Sequence, residues 1–319
     1  MIATLGLALL LDAVFGEPPR WHPLVGFGRL INALEARCHS GGADARGLLL
    51  RGALAWAVLV LPPPLLLWAC LSQLPSPLAL AVDVLVLYLC LGRRSLAQHA
   101  RAVAEPLQSG DLGAARAAVA MLVSRDSADL DEQGVARAAV ESVLENGSDA
   151  VVAPLFWCVV AGAPAVLAHR LINTLDARWG YRNERYRDFG RAAARADDVA
   201  NYLPARLCAL LYTLAGRTGP ALDCWRRQAG QAASPNAGPV MTAGAGALLI
   251  RLGGPTAYHG QMQQRPAFGC GRAVAAGDIG RAVALLRRAV LLLLTGLLLV
   301  DGAALVSGGG PDFPGGLWR

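Results

Sequence analysis

Lysine is absent from this chain: all 29 of its Lys/Arg residues are arginine. That excludes Schiff-base lysine chemistry and the glycine-rich phosphate loop that closes on Lys-Ser or Lys-Thr. Charge of either sign is scarce, 16% of residues, where a soluble domain carries about 25%. No GxSxG, GxGxxG or HExxH motif occurs, so the commonest hydrolase, dinucleotide and metalloprotease signatures are missing. The histidines (His22, His39, His99, His169, His259) are scattered without ligand spacing, which argues against a zinc site. The cysteines are seven, an odd number, with no CxxC pair. They read as small buried hydrophobes in a reducing setting rather than as a disulfide framework.

What is present is apolar: 55% of the 319 residues are hydrophobic, and the mean hydropathy is +0.42. The net charge of +6 is, in such a chain, first a topology signal and only then a hint of anionic ligands. No nucleic-acid partner is expected. The opening MIATLGLALLLDAVFG lacks a basic leader region and reads as an uncleaved membrane segment. Residues 52–71 are uncharged for 20 residues, enough to cross a bilayer, with Pro62, Pro63 and Pro64 expected to kink them. Residues 76–92 give a second span, with Asp83 near its middle as a functional suspect or a pairing group in the bundle. Arg51 on one side and Arg93 and Arg94 on the other place the SQLPS link outside and residues from 93 inward on the cytoplasmic side.

From 93 to about 149 the pattern is amphipathic helix. Residues 150–172 are apolar but interrupted by Pro154, Gly162 and Pro164. The arginine-rich stretch after them would violate the charge rule if they crossed, so a shallow re-entrant hairpin is expected. Residues 289–308 form a last span, followed by the nearly uncharged tail SGGGPDFPGGLWR, expected outside. With no linker or composition break, residues 1–319 read as one integral-membrane domain. The expectation is an all-α, polytopic helical membrane protein whose polar helical face is cytoplasmic.

Three polar clusters could carry chemistry. In ESVLENGSDAVVAPLFW, Glu141, Glu145 and Asp149 share one helix face, with Asn146 beside them. Like charges at that spacing repel by a few tenths of a kcal/mol per pair. A divalent-metal site and a solvated helix face both fit, though a solvated face has no reason to end at a membrane hairpin. In the second cluster, residues 173–207, Asp197 and Asn201 share a face beside Asp198, a pattern able to hold Mg²⁺-diphosphate. Arg182, Arg185 and Arg187 interleave with Tyr181, Glu184, Tyr186 and Asp188. They suit phosphate or carboxylate binding, or a salt-bridged interfacial helix. In the third, Ser234–Pro235–Asn236 suggests a loop or helix cap, and Gly253, Gly254 and Pro255 a turn. Gly238, Gly244 and Gly246 would permit close approach of helices or of a ligand.

These stretches, with LDAVFGEPPRWHPLVGFGRLINALE ahead of them, resemble in the same order the blocks of one family. It is the CbiB/CobD type of cobalamin-biosynthesis membrane protein, the adenosylcobinamide-phosphate synthases. The matching blocks are ESVLENGSDAVVAPLFW, NTLDARWGYRNERYRDFG, ARADDVANYLPARL and SPNAGPVMTAGAGALLIRLGGPTAYHG. Departures occur at Glu17, where aspartate is usual, at Ala150 (usually glycine), at Arg182 (commonly lysine) and over Ala177–Arg178–Trp179. The resemblance implies an inner-membrane ligase that uses ATP and Mg²⁺. It would join a propionate carboxylate of adenosylcobyric acid, the corrinoid substrate, to 1-amino-2-propanol, its O-phosphate or ethanolamine phosphate. Homo-oligomers and contact with other late cobalamin-pathway enzymes would be in keeping with it.

Residue chemistry then assigns Glu145, Asp149, Asp197 and Asp198 to the metal and nucleotide, with Asn146 and Asn201 in support. Arg182, Arg185 and Arg206 would clamp phosphates. Asn173, Asp176, Tyr181 and Tyr186 would position the corrinoid amides or the amine, with Asp176 or Glu184 as general base. Ser234 and Asn236 would line the site. A non-catalytic regulatory or scaffold protein of the same superfamily is the alternative, opposed by the joint presence of ENxxD, DDxxN and SPNAG. A prenyl-transferring enzyme using DDxxN is a third reading, which predicts a second acidic motif and a long apolar tunnel.

Overall fold

The structure, a computed structural model, describes residues 1–18, 23–39, 44–123, 127–181, 183–254, 256–258, 261–263 and 265–306. Arg182, Pro255, His22, His259 and the tail from 307 lie outside the described residues. The described chain is helical almost throughout, and four of its helices or helix pairs are long and apolar enough to cross a membrane: Ala45–Leu71, Ser76–Gln108, Glu132–Trp179 and Gly277–Ala303. The all-α, multi-pass membrane architecture expected from hydropathy is therefore what the chain adopts. The described residues gather into two compact units, each drawn from separate stretches.

The first unit takes Met1–Gly92 and Ala153–Asn201. It contains α1 (Ile2–Phe15), α2 (Pro23–His39), α3 (Ala45–Val60), α4 (Pro62–Leu71), α5 (Ser76–Cys90), α9 (Ala153–Trp179) and α10 (Arg191–Ala200). At 14 residues α1 rises about 21 Å, short of the ~30 Å hydrocarbon layer; it packs instead along α5. The proline run does what its chemistry requires. It breaks the 45–71 segment at Leu61 and opens α4 at its first positions, where a missing N–H costs nothing. In α9 the break falls at Ala161 and Gly162, Gly162 holding φ 70°, just before Pro164.

The core of this unit joins α2, α3, α9 and α10 through Ile31, Leu59, Leu175, Trp179, Phe189 and Ala193. Two glycines let backbones meet there. A Cβ on Gly52 would lie 1.9 Å from the Phe189 carbonyl oxygen, and one on Gly190 1.7 Å from that of Trp179.

The second unit takes Arg93–Val152 and the residues from Tyr202 to the end of the last helix. Its helices are α6 (Arg93–Gln108), α7 (Leu112–Ala120), α8 (Glu132–Gly147), α11 (Tyr202–Ala215), α12 (Thr218–Gln228), α13 (Ala237–Leu248) and α14 (Gly277–Val306). A π-helical turn, Ser148–Val152, follows α8. α13 is buried from Gly238 to Leu248, and the glycines explain how. A Cβ at Gly244 would strike the Leu144 side chain, and one at Gly246 the backbone of Pro220 and Ala221. Close helix packing is thus the role these glycines serve.

The third cluster also contains short strands that the helical reading did not foresee. β1 (Ile250–Gly253) pairs antiparallel with β4 (Ala267–Gly269) and parallel with β5 (Arg272–Ala273); β2 (Thr256–Tyr258) pairs antiparallel with β3 (Gln261–Gln263). Runs of two to four residues between glycines leave no room for an alternating signal. The last helix starts twelve residues earlier than the expected span, at Gly277. Buried Asp278 there takes Arg272 and Arg281 as ion pairs and accepts the Ala275 N–H, favourable for an acid at a helix N-terminus. All seven cysteines are free.

Candidate functional site

In the first unit the DDxxN motif lies on α10 and its cap. Asp197 and Asn201 stand one turn apart, as their spacing requires, and the Asn201 amide nitrogen donates to Asp197 Oδ1 at 2.9 Å. Asn173, on α9, donates to the same oxygen at 3.3 Å. The Asn201 oxygen is then left to accept, and His169 Nε2 meets it at 2.8 Å, so the network assigns the imidazole proton to Nε2. His169 Nδ1 is buried without a hydrogen-bond partner. Burial, the largest influence, and the charge of Asp198 raise the Asp197 carboxyl above its usual range; the two amide hydrogen bonds offset this only in part. Asn173, Asp197, Asp198 and Asn201 are thus brought together, with His169 as a member that sequence reasoning missed. Its signal was faint: a lone histidine on an apolar helix, four residues ahead of Asn173.

The segment after α9 is organised around Glu35 of α2. Trp179 Nε1 donates to Glu35 Oε2 at 3.0 Å. Oε1 accepts from Arg185 Nε (3.0 Å), Arg185 Nη2 (2.7 Å) and the Tyr186 hydroxyl (2.9 Å). Two residues expected to meet substrate, Arg185 and Tyr186, are therefore engaged by a carboxylate at the end of the amino-terminal block. Arg185 stays 58% exposed, so its remaining donors can still reach a ligand. Tyr181 and Glu184 are exposed. Asp176 is half-buried at the end of α9, its side chain so close to Gly180 that no Cβ fits there.

The second unit carries the other acids. Glu141 and Glu145 part company: Glu141 is buried, accepting the Gly253 N–H at 2.8 Å and pairing with Arg265 at 3.1 Å. Arg137 donates to the Gly253 carbonyl at 2.8 Å, so both sides of that residue are clasped. Glu141 is thereby committed to holding β1. Glu145 and Asn146 are exposed and Asp149 half-exposed in the π-helical turn, a distortion frequent at functional sites. The Asn146 amide nitrogen donates to the Ser142 carbonyl and hydroxyl at 2.9 and 3.0 Å, which turns its oxygen outward as the free acceptor.

Arg206 reaches across to the third cluster. It donates to Asn236 Oδ1 and to the Pro235 and Tyr202 carbonyls, each at 2.9–3.0 Å, and lies 3.5 Å from the Tyr202 ring centroid. Ser234 Oγ accepts from the Asn236 and Ala237 backbone N–H groups, a side-chain-braced turn leading into α13, in keeping with the loop expected of this tripeptide. Asn236, the N-cap itself, makes no side-chain cap bond. Arg206, Ser234 and Asn236 thus form one braced loop.

Among the described residues no three His, Cys, Asp or Glu side chains converge tightly enough to cage a metal. A hard cation carried by a nucleotide does not need a cage, because one or two carboxylates plus phosphate and water suffice. Asp197 with Asp198, and Glu145 with Asp149 and the Asn146 oxygen, are donor sets of that minimal kind.

A family model described as CobD/Cbib protein matches residues 5–286. The chain is 57% identical over 291 residues to the cobalamin biosynthesis protein CobD of Chromobacterium violaceum, covering 90% of this chain and 93% of that protein. It is 56% identical over 293 residues to that of Stutzerimonas stutzeri, covering 91% and 95%. The CobD protein of Mycobacterium tuberculosis is 45% identical over 287 residues, with 88% and 90% covered. No solved structure matches the chain.

Proposed function

The chain belongs to the CobD/Cbib protein family, and from that premise we propose that it acts in cobalamin biosynthesis as an ATP-dependent amide ligase of the inner membrane. The substrates are a propionate carboxylate of adenosylcobyric acid and the amine of an amino-alcohol, 1-amino-2-propanol or its O-phosphate. The product is adenosylcobinamide or its phosphate. The observation that carries this reading is the match to cobalamin biosynthesis proteins over nine-tenths of both chains.

A carboxylate does not form an amide in water until one of its oxygens is made a leaving group. ATP supplies the activating phosphoryl or adenylyl group. The amine nitrogen then attacks the acyl carbon, the activated oxygen leaves as phosphate or AMP, and the amine proton passes to a base. With lysine and phosphate loop both missing, acids and arginines must do the holding. In the first unit Asp197 and Asp198, supported by Asn201, and in the second Glu145 and Asp149, supported by Asn146, are the acids that would hold Mg²⁺ and, through it, the triphosphate, the ion neutralising phosphate charge. Arg185 and Arg206 would clamp the phosphates, as would Arg182, which lies outside the described residues. Asn173, Tyr181 and Tyr186 orient the corrinoid amides, and Asp176 or Glu184 accepts the proton. A cytoplasmic active face, with the broken α9 as a re-entrant floor, suits a large corrinoid arriving from the cytosol.

The test is purified protein in detergent with adenosylcobyric acid, either amine and Mg²⁺-ATP. Corrinoid conversion is expected, with ADP or AMP identifying the activating step. No conversion with either amine overturns the ligase reading in favour of a regulatory or scaffold role.

A further inference from the structure

Within the second unit, the end of α13, the link from α11 to α12 and one face of α14 enclose an open cavity of about 550 Å³. Its wall is apolar at Ala247, Leu248 and Ala284, and basic at Arg217, Arg281, Arg287 and Arg288. Arg281, Ala284 and Arg288 follow one helix face at i, i+3 and i+7. Among the described residues no acid lines the cavity. Arg281 is committed, paired with Asp278 and donating to the Leu248 carbonyl at 2.8 Å. Arg217, Arg287 and Arg288 make no side-chain hydrogen bond or ion pair among the described residues.

Arg217, Arg287 and Arg288 are exposed residues bordering one open hollow; their like charges repel one another, and no ion pair among the described residues offsets that. An oxyanion of charge −1 or −2 with several acceptor oxygens removes the repulsion and matches the guanidinium forks. The position adds a constraint. The uncharged run of α14 starts at Ala289, directly after Arg287 and Arg288, so the cavity lies at the level where a membrane's headgroups meet its hydrocarbon.

We propose that this cavity is a binding site for a phosphate group, presented either by an anionic phospholipid headgroup or by a soluble phosphate ester. It uses none of the residues assigned above to amide formation, and it is tested by binding, so its failure and that of the ligase reading are separable.

The experiment compares the full chain with two cavity variants, R217Q and R287Q/R288Q. R226Q/R251Q removes two exposed arginines from outside the cavity and serves as the control. R217Q lies off α14, so it remains informative if the double variant inserts poorly. One arm titrates delipidated protein in neutral detergent with inorganic phosphate and with O-phosphoethanolamine. The other reconstitutes it into phosphatidylcholine discs containing phosphatidylglycerol and measures the phosphatidylglycerol retained per protein. Affinity is expected to fall about fivefold for R217Q and on the order of twentyfold for R287Q/R288Q, with the control unchanged. A loss confined to the lipid arm makes the ligand a headgroup, and one confined to the soluble arm makes it a phosphate ester. If neither arm separates the cavity variants from the control, the arginines merely border the membrane and the proposal is wrong.

Discussion

Glu35 offers the sharpest test of how the first unit is held, because one carboxylate takes hydrogen bonds from three side chains. Replacing it with alanine leaves the Trp179 N–H, on a fully buried ring, without an acceptor, at a cost of about 1–3 kcal/mol. The half-buried Tyr186 hydroxyl adds about 1 kcal/mol. Arg185 is over half exposed, so its share is screened to at most ~1 kcal/mol. E35A should therefore lower unfolding free energy by about 3 kcal/mol. E35Q should cost nearly as much, because its single carbonyl oxygen cannot serve both Trp179 and the Arg185–Tyr186 pair.

The magnitude can be checked by a cycle. In a W179F background the orphaned donor no longer exists, so E35Q should cost about 1 kcal/mol less than in the wild type. The pH dependence has a definite sign. Burial alone would raise the Glu35 carboxyl, but hydrogen bonds from Arg185, Tyr186 and Trp179 outweigh it and hold the group below its ordinary value of 4.5. Its stabilisation is thus fully present above about pH 4.5 and lost as pH falls through the depressed folded value. Denaturant unfolding in detergent should show a constant gap between wild type and E35Q from pH 6 to 8 that closes in acid. A gap that widens in acid, or that W179F leaves untouched, refutes the reasoning.

Four further outcomes follow from the geometry. G52A and G190A each drive a Cβ into a backbone carbonyl and should destabilise by about 3 kcal/mol or more, read as lost accumulation or a lowered midpoint. E141A strips the acceptor from the Gly253 N–H and removes the Glu141 ion pair of Arg265. It should cost about 2–4 kcal/mol in unfolding experiments without being a lesion in metal binding. D197N keeps an oxygen for Asn173 and Asn201 while removing a half-buried charge beside Asp198. Amide formation should fall at least a hundredfold while the melting midpoint holds or rises, the trade expected of a strained functional group. D149N and D198N should each abolish ATP-dependent amide formation; near-wild-type rates in both would remove the metal assignment.

The membrane architecture was legible because it rests on composition over long windows: uncharged runs and proline positions mark where apolar helices run and break, while α3 and α14 begin ahead of the arginines that flank their uncharged runs. The turn at Ser234, the break at Gly162 and the packing glycines of α13 were equally readable, since each depends on a local backbone requirement. What could not be read was partnership across the chain. Glu35 lies about 150 positions from Arg185 and Tyr186, and nothing near it signals a network. Glu141 looked like the first of three equivalent acids, and only a contact 112 residues away shows that it holds a strand. The short strands escaped because two to four residues between glycines carry no periodicity.

These long-range contacts sort the polar residues in a way spacing alone could not. Glu35, Glu141 and Asp278 are buried acids whose oxygens are filled by arginine, indole or backbone donors of the chain itself. Asp197 differs: it is half-buried, yet among the described residues its hydrogen bonds come from neutral amides, and its neighbour Asp198 is another acid. Neutral amides cannot offset a desolvated negative charge as a guanidinium does. A chain with 29 arginines does not lack cations to place there. We propose that Asp197, whose hydrogen-bond partners are the Asn173 and Asn201 amides, is arranged for a positive charge that arrives with a ligand. Placing arginine at Asn173 makes the same argument in reverse: N173R should stabilise the first unit by supplying the missing charge, and should abolish nucleotide-dependent activity because the place is taken. If N173R proves active, Asp197 is a structural acid.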